Sequence, residues 1–280
     1  MKNIIVRSLS GAVYVALIVC SILFGGAWGF PVVCCIFAIL GMMEFLRMTK
    51  AASGMSNWNT TVDLVMGLCA PVSVALFVAG SSLTYVTLSV MSVLFLVRMV
   101  MQLYSHDENP VRDIACSVMS VVYVAFPLAL AVGLYGAGKV DGAAMMLLIF
   151  VMIWLNDTGA FLVGSAIGKH RLFPRLSPKK SWEGFWGGMV FCVAAGIVSF
   201  YAFPEYFHYG NVLPMALLGL VVSVASTWGD LFESMIKRAA GVKDSGNIMP
   251  GHGGMLDRID SLLFVTPFVM VYLTVWEILF

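Results

Sequence analysis

Long apolar runs, separated by short polar or turn-forming stretches, set the pattern of this chain. Nine can be marked, at 9–27, 30–46, 62–79, 83–103, 114–134, 143–163, 185–203, 212–229 and 261–280. A hydrocarbon core of ~30 Å takes about 20 residues of helix to cross, so each run has the length of a membrane span. None shows the polar and apolar alternation of a barrel strand, and backbone amides in lipid must be satisfied within their own segment. Helix is therefore predicted for all of them. Turn formers fall between the runs, among them Gly25-Gly26, Ser53-Gly54, Gly80-Ser81-Ser82, Asn109-Pro110 and Gly210-Asn211. The predicted fold class is all-α, a polytopic integral membrane protein with about nine transmembrane helices.

Composition agrees with that solvent. Hydrophobic side chains make up 60% of the 280 residues, charged ones only 11%, and mean hydropathy is +0.95, too little polarity to cover a soluble globule. The net charge of +1 gives no reason to expect a nucleic-acid partner. Cys20, Cys34, Cys35, Cys69, Cys116 and Cys192 all lie inside apolar runs with no Cys-x-x-Cys spacing, and read as small hydrophobes. Lys2 and Arg7 ahead of 9–24 resemble the charged and apolar regions of a signal peptide. No small-x-small cleavage site follows, so a retained first helix is expected.

The basic residues orient the helices. With a cytoplasmic N-terminus and an outer C-terminus, Lys139 alone lies outside, while the other lysines and arginines sit in or beside cytoplasmic connections. This expectation places the protein in the cell (inner) membrane as a multi-pass protein with its polar loops facing the cytoplasm. The chain divides near 136–142, into N-terminal transmembrane helices (1–142, about five) and a C-terminal catalytic membrane region (143–280, about four helices and two cytoplasmic loops). Before the divide, Glu44 and Arg98 read as side chains snorkelling from helix ends.

After the divide the polar chemistry is concentrated. Asp157 follows Asn156 late in the sixth run, still at membrane depth, where an ionisable group hints at function. A structural Asp paired to a neighbouring helix would also fit. The loop Leu176-Ser177-Pro178-Lys179-Lys180-Ser181-Trp182-Glu183-Gly184 combines a proline expected to fix a turn, two hydroxyls and two compact cations. Positive-inside topology accounts for its charge alone, whereas the combination suits an anionic group. Asp230, Glu233 and Lys237 share one face of the extension of the eighth helix, and Asp257 and Asp260 are three apart where the ninth begins. Carboxylates on facing helix ends suit Mg²⁺, although the helix dipole alone favours an acid at Asp257 or Asp260. Gly251, Gly253 and Gly254 around His252 permit the close backbone approach that phosphate-contacting amides need. His252 itself could orient a phosphate, act as an acid or fill a turn. No Walker loop, dinucleotide fingerprint or nucleophile elbow occurs. The residues imply phosphoryl or nucleotidyl transfer to a lipid.

Ser234-x-x-Lys237-Arg238, then Lys243-Asp244-x-Gly246, then Pro250-x-His252-Gly253-Gly254-x-x-Asp257-Arg258-x-Asp260 closely resembles the signature of phosphatidate cytidylyltransferases, the CDP-diacylglycerol synthases. Asn156-Asp157-x-x-Ala160-Phe161 and Ser177-Pro178-Lys179-Lys180-Ser181-x-Glu183-Gly184 are similar to that family's other motifs, in order. The motif resemblance covers 156–261; Met249 departs from it, standing where leucine, isoleucine or phenylalanine is usual.

The resemblance implies that CTP and phosphatidic acid give CDP-diacylglycerol and pyrophosphate, with Mg²⁺ as cofactor, alone or with a second cation. Carried over by position, Asp230 and Asp257 are metal ligands and Asp260 and Asp157 supporting acids, with Asp230, Lys237, Asp257 and Asp260 as the catalytic set. Ser177, Lys179, Lys180, Arg238, Lys243, His252, Gly253, Gly254 and Arg258 would bind the triphosphate or the lipid phosphate. The family and the many small residues in the spans imply a homodimer. Two rivals stay open: a related enzyme using CTP on a polyprenol or other lipid, and an ion-coupled transporter. The transporter is disfavoured by the lack of internal repeats.

Overall fold

A computed structural model of the chain describes residues 2–50, 57–105, 109–136, 141–207, 210–249, 251 and 253–279. The described residues form helices α1 (Lys2–Phe24), α2 (Gly26–Lys50), α3 (Asn57–Val78), α4 (Leu83–Leu103), α5 (Pro110–Ser120) and α6 (Phe126–Gly136), then α7 (Gly142–Ile167), α8 (Trp182–Ala202), α9 (Leu213–Ala239) and α10 (Leu256–Leu279). A π-helical turn, Val121–Ala125, joins α5 to α6, so the two form one continuous apolar element. Among the described residues eight helices, α5 and α6 counted as one, are long and apolar enough to cross a membrane, and Ser8–Phe24 within α1 is a shorter apolar candidate. The protein is an all-α polytopic membrane protein.

Local chemistry explains where several helices start. Asn109 Oδ1 accepts from the Arg112 amide with Pro110 in the first turn of α5, and Asp141 Oδ1 accepts from the Ala143 and Ala144 amides at α7. Each satisfies donors that a helix start leaves unpaired. Ser181 does the same for α8 through the Gly184 amide.

Between α7 and α8 lies a small antiparallel hairpin, β1 (Arg171–Phe173) and β2 (Ser177–Ser181). It corrects the reading of this segment as an irregular loop with a turn at Pro178: the turn is at 174–176, and Pro178 lies within β2. Proline is tolerated there because a two-stranded hairpin has an edge on which no ladder donor is required.

The chain forms two compact units, one of Met1–Gly136 with Ala239–Ile259, the other of Ala137–Arg238 with Asp260–Phe280. Ala239–Ile259, which the sequence reading groups with the C-terminal region, packs with the first unit. In that unit α2 packs on α1, α3 and α6, and α3 on α4 and α6, around buried Ile18, Phe30, Phe37, Met42, Leu46 and Leu128.

Glu44 and Arg98 are not snorkelling; they are 2% and 1% exposed. Arg98 pairs with Asp63 at 3.1 Å and with Asp113, and donates to Gln102 Oε1 at 2.7 Å. Neither charge can reach a membrane surface from such a site, and each is offset by partners on other segments.

In the second unit α7 and α8 pack most closely. A Cβ on Gly184 would lie 2.8 Å from Ala160 O, and one on Gly188 2.8 Å from Asn156 O, so the backbones touch as small residues allow in membranes. Between α9 and α10, a Cβ on Gly229 would lie 2.7 Å from Asp260 O.

Candidate active site

In the second unit the hairpin, α7, α8 and α9 enclose a cavity of about 470 Å³, within the ~300–1,000 Å³ usual for small-molecule sites. Asp157 and Asn156 reach it from α7, Asp230 and Thr227 from α9, and Arg171, Lys179, Lys180 and Ser181 from the hairpin. It therefore holds two carboxylates and three cations. Lys180 Nζ stands 2.6 Å from Asp230 Oδ2, and Ser234 Oγ donates to Asp230 Oδ1 at 3.3 Å.

The hairpin is fastened at its base. Glu183, in the first turn of α8, accepts from the Lys169 and His170 amides and stands 2.6 Å from His170 Nδ1, while the Trp182 amide donates to His170 O. Ser181, itself buried, caps α8. The lysines thus hang from a tethered strand.

Behind the cavity Asp260 is buried, with Asp230, Asp157 and Lys180 as its charged neighbours and the Ser261 amide donating to its Oδ1 at 2.6 Å. Beside it runs a buried polar chain. Ser223 Oγ donates to Asn156 Oδ1 at 2.7 Å, Asn156 Nδ2 to Ser226 Oγ at 3.4 Å, and Ser261 Oγ to Ser226 O at 3.4 Å. It ties α7, α9 and α10 together. Further along α9, Lys237 pairs with buried Glu233 at 2.6 Å, one turn away, and Arg238 is exposed.

The first unit holds the rest of the predicted residues. Asp257 Oδ2 accepts from the Ser245 amide at 2.9 Å and the Gly254 amide at 2.8 Å, and Ser245 Oγ stands 3.0 Å from it. Glu44, from α2, accepts from Ser245 Oγ at 2.8 Å and from the Met255 and Leu256 amides at 2.9 and 2.8 Å. Gly253 has φ +85 and its missing Cβ leaves room for the Asp257 carboxylate. Lys243, Asp244 and Arg258 are exposed, and Arg258 O accepts from Tyr14 Oη at 2.9 Å. His252 lies outside the described residues, as do Pro250 and Lys139.

Asp157, Lys179, Lys180 and Asp230 thus share one cavity, with Asp260 behind it, while Ser177 opens β2. Thr227 and the serine partners of Asn156 were not singled out from the sequence, and Arg171 was counted there only among the basic residues of this connection, in the run Lys169-His170-Arg171 three residues before the turn. Among the described residues no three His, Cys, Asp or Glu side chains stand close enough to enclose a metal by themselves. Mg²⁺ does not ask for that, because it keeps waters and takes phosphate oxygens beside one or two carboxylates. Asp157 and Asp230, hard oxygen donors that line one cavity from α7 and α9, fit such a cation.

The cytidylyltransferase family model matches residues 5–276. The chain belongs to the cytidylyltransferase family. It is 40% identical over 169 residues to a phosphatidate cytidylyltransferase of Staphylococcus haemolyticus, a match covering 60% of this chain and 62% of that protein. It is 38% identical over 169 residues to one of Staphylococcus epidermidis (60% and 62%), and 40% identical over 171 residues to one of Staphylococcus aureus (60% and 62%). The chain spans about six-tenths of the length of these curated relatives. The family match reaches from α1 into α10 of this cytidylyltransferase-family chain, and so includes the first half, where sequence motifs were absent.

Proposed function

We propose that the chain transfers the cytidylyl group of CTP to phosphatidic acid, releasing pyrophosphate and forming CDP-diacylglycerol. The observation that carries this reading is the cavity in which Asp157 and Asp230 face Arg171, Lys179 and Lys180. Family membership and the names of the relatives support the choice of nucleotide and lipid.

The chemistry joins two anions. A phosphate oxygen of phosphatidic acid attacks the α-phosphorus of CTP; a new P–O bond forms, the bond to the bridging oxygen breaks, and pyrophosphate leaves. The nucleophile is already ionised at neutral pH, so no strong general base is required. What the protein supplies is position and charge. Arg171, Lys179 and Lys180 hold phosphate groups in the cavity, with Ser177, Lys237, Arg238, Lys243, His252, Gly253, Gly254 and Arg258 as further substrate contacts. Mg²⁺, alone or with a second cation, would supply positive charge to offset that of the triphosphate. Asp157, Asp230 and Asp260 are the carboxylates of the second unit that would serve it, and Asp257 keeps the ligand role the resemblance implies. The cavity is proposed to face the cytoplasm, in the inner membrane, with the N-terminus inside and the C-terminus outside. A homodimer is proposed on the resemblance alone.

The deciding experiment supplies purified protein with Mg²⁺, labelled CTP and phosphatidic acid. A labelled liponucleotide that fails to form in EDTA is the expected result. Product with a polyprenol only would replace the lipid substrate, and no product with either would overturn the reading.

A further inference from the structure

Glu44 is a carboxylate 2% exposed, on a helix outside all the motifs. Three donors from one short segment converge on it: Ser245 Oγ and the amides of Met255 and Leu256. The Leu256 amide opens α10 and the Met255 amide stands just before it, where a helix leaves its N–H groups unpaired and its dipole favours a negative charge. An acid from α2 therefore caps a helix more than 200 residues away in sequence. Space is made for it by glycines: a Cβ on Gly246 would lie 2.5 Å from Glu44 Oε1, and one on Gly254 would collide with Oε2.

The contact goes one residue further. Ser245 Oγ stands 2.8 Å from Glu44 Oε2 and 3.0 Å from Asp257 Oδ2, and the Asp257 amide reaches it at 3.3 Å. A hydroxyl has one proton, so Ser245 serves one carboxylate while lying against both. The orientation of Asp257 therefore depends on Ser245, and that of Ser245 on Glu44.

We propose that Glu44 is a positioning residue for cytidylyl transfer: through Ser245 and the amides of Met255 and Leu256 it holds Asp257 and the Gly253-Gly254 backbone in register. The inference rests on the cytidylyltransferase reading above. It gives Glu44 no contact with substrate.

Glu44→Gln places an NH₂ group against backbone donors, because both carboxylate oxygens accept from an amide. Ser245→Ala removes the link and leaves those two hydrogen bonds. In liponucleotide synthesis by detergent-purified protein, each variant is expected to lose kcat by about 10- to 100-fold, as sub-ångström to 1 Å misplacements do, with KM for CTP nearly unchanged. The double variant should be no worse than the poorer single one, since both break one chain of contacts. Hydrogen exchange of the segment 254–257 should quicken in E44Q while exchange in α7 and α8 does not. Wild-type kcat in E44Q, or losses that multiply in the double variant, would overturn the proposal. If E44Q does not yield monodisperse protein, S245A decides alone: lost kcat with slow exchange at 255–256 supports it, and unchanged kcat overturns it. A wild-type protein that makes no liponucleotide sinks the proposed function instead, and exchange at 254–257 in E44Q still decides whether Glu44 holds the segment.

Discussion

Lys180 Nζ rests 2.6 Å from Asp230 Oδ2, and both side chains line one cavity while about a third exposed, at 27% and 34%. An ion pair this open contributes only about 0–1 kcal/mol. It holds the cavity charge-balanced yet can be exchanged at little expense, Asp230 for a cation and Lys180 for a phosphate. Lys180→Ala is expected to raise KM for CTP by roughly tenfold or more, in line with ~1.5–3 kcal/mol for a charged hydrogen bond. It should also strengthen Mn²⁺ binding measured by electron paramagnetic resonance, because the competing ammonium is gone. Lys180→Arg should rescue poorly, since a forked guanidinium holds a carboxylate in two places. Weaker Mn²⁺ binding in K180A would contradict this exchange.

Asp260 tests the opposite balance. It is buried beside Asp230 and Asp157, with Lys180 as the nearby cation, so its negative charge opposes folding unless a metal offsets it. Asp260→Asn keeps the shape and removes the charge. The expected outcome is a melting temperature equal to or above wild type in metal-free buffer, together with activity lower by about 100-fold or more. Added Mg²⁺ should raise the wild-type melting temperature and barely move that of D260N, as binding to the native state alone stabilises it. Equal metal-induced shifts would show that Asp260 takes no part in holding the cation.

Much of this was legible in the chain. The run 83–103 is α4 to the residue, because turn formers precede it and apolar side chains predominate along it despite Arg98 and Gln102. The extension of α9 past the apolar run to Ala239 follows from the spacing of Asp230, Glu233 and Lys237. Asp157, Lys179, Lys180 and Asp230 were singled out and do line one cavity. The hairpin was not legible: β1 has three residues and β2 contains a proline, so neither shows a strand period. Glu44 and Arg98 were misread for a different reason. Their partners, Ser245 and Asp63, lie 201 and 35 residues away, and a lone charge near a helix end looks the same whether it reaches water or a distant helix.

Arg98 gives a stability test separate from chemistry. Its guanidinium is held between Asp63 and Asp113, all three nearly inaccessible, and Ser117 Oγ donates to Asp63 Oδ2 at 2.8 Å. Arg98→Met would leave two buried carboxylates without their cation, a loss of about 3–5 kcal/mol by comparison with broken buried pairs. The melting temperature and the yield of folded protein should fall sharply. Adding Asp63→Asn and Asp113→Asn should recover much of the loss, since neutral amides need no counter-charge. Protein that remains folded is expected to keep its kcat. A triple variant no better than R98M would show that shape, rather than charge, ties α4 to its neighbours.

The α7–α8 contact predicts how finely the cavity wall is set. A Cβ on Gly188 would lie 2.6 Å from Asn156 Oδ1 and 2.8 Å from Asn156 O, and the same Oδ1 accepts from Ser223 at 2.7 Å. Because the obstacle is backbone as well as side chain, the helices must part to admit a methyl group. Gly188→Ala is therefore expected to destabilise by about 1–3 kcal/mol, the usual range for overpacking, and to displace Asn156, which lines the cavity beside Asp157. Activity should fall more than the lost folded fraction explains. Gly210→Ala is the matched control: nothing lies within 4 Å of its Cβ position, and a surface change of that kind stays within about 0.5 kcal/mol. Melting temperature and kcat of the two variants, measured side by side in the same detergent, check the argument. If G188A proved as stable and active as G210A, α7 and α8 would have room to move apart without disturbing the cavity.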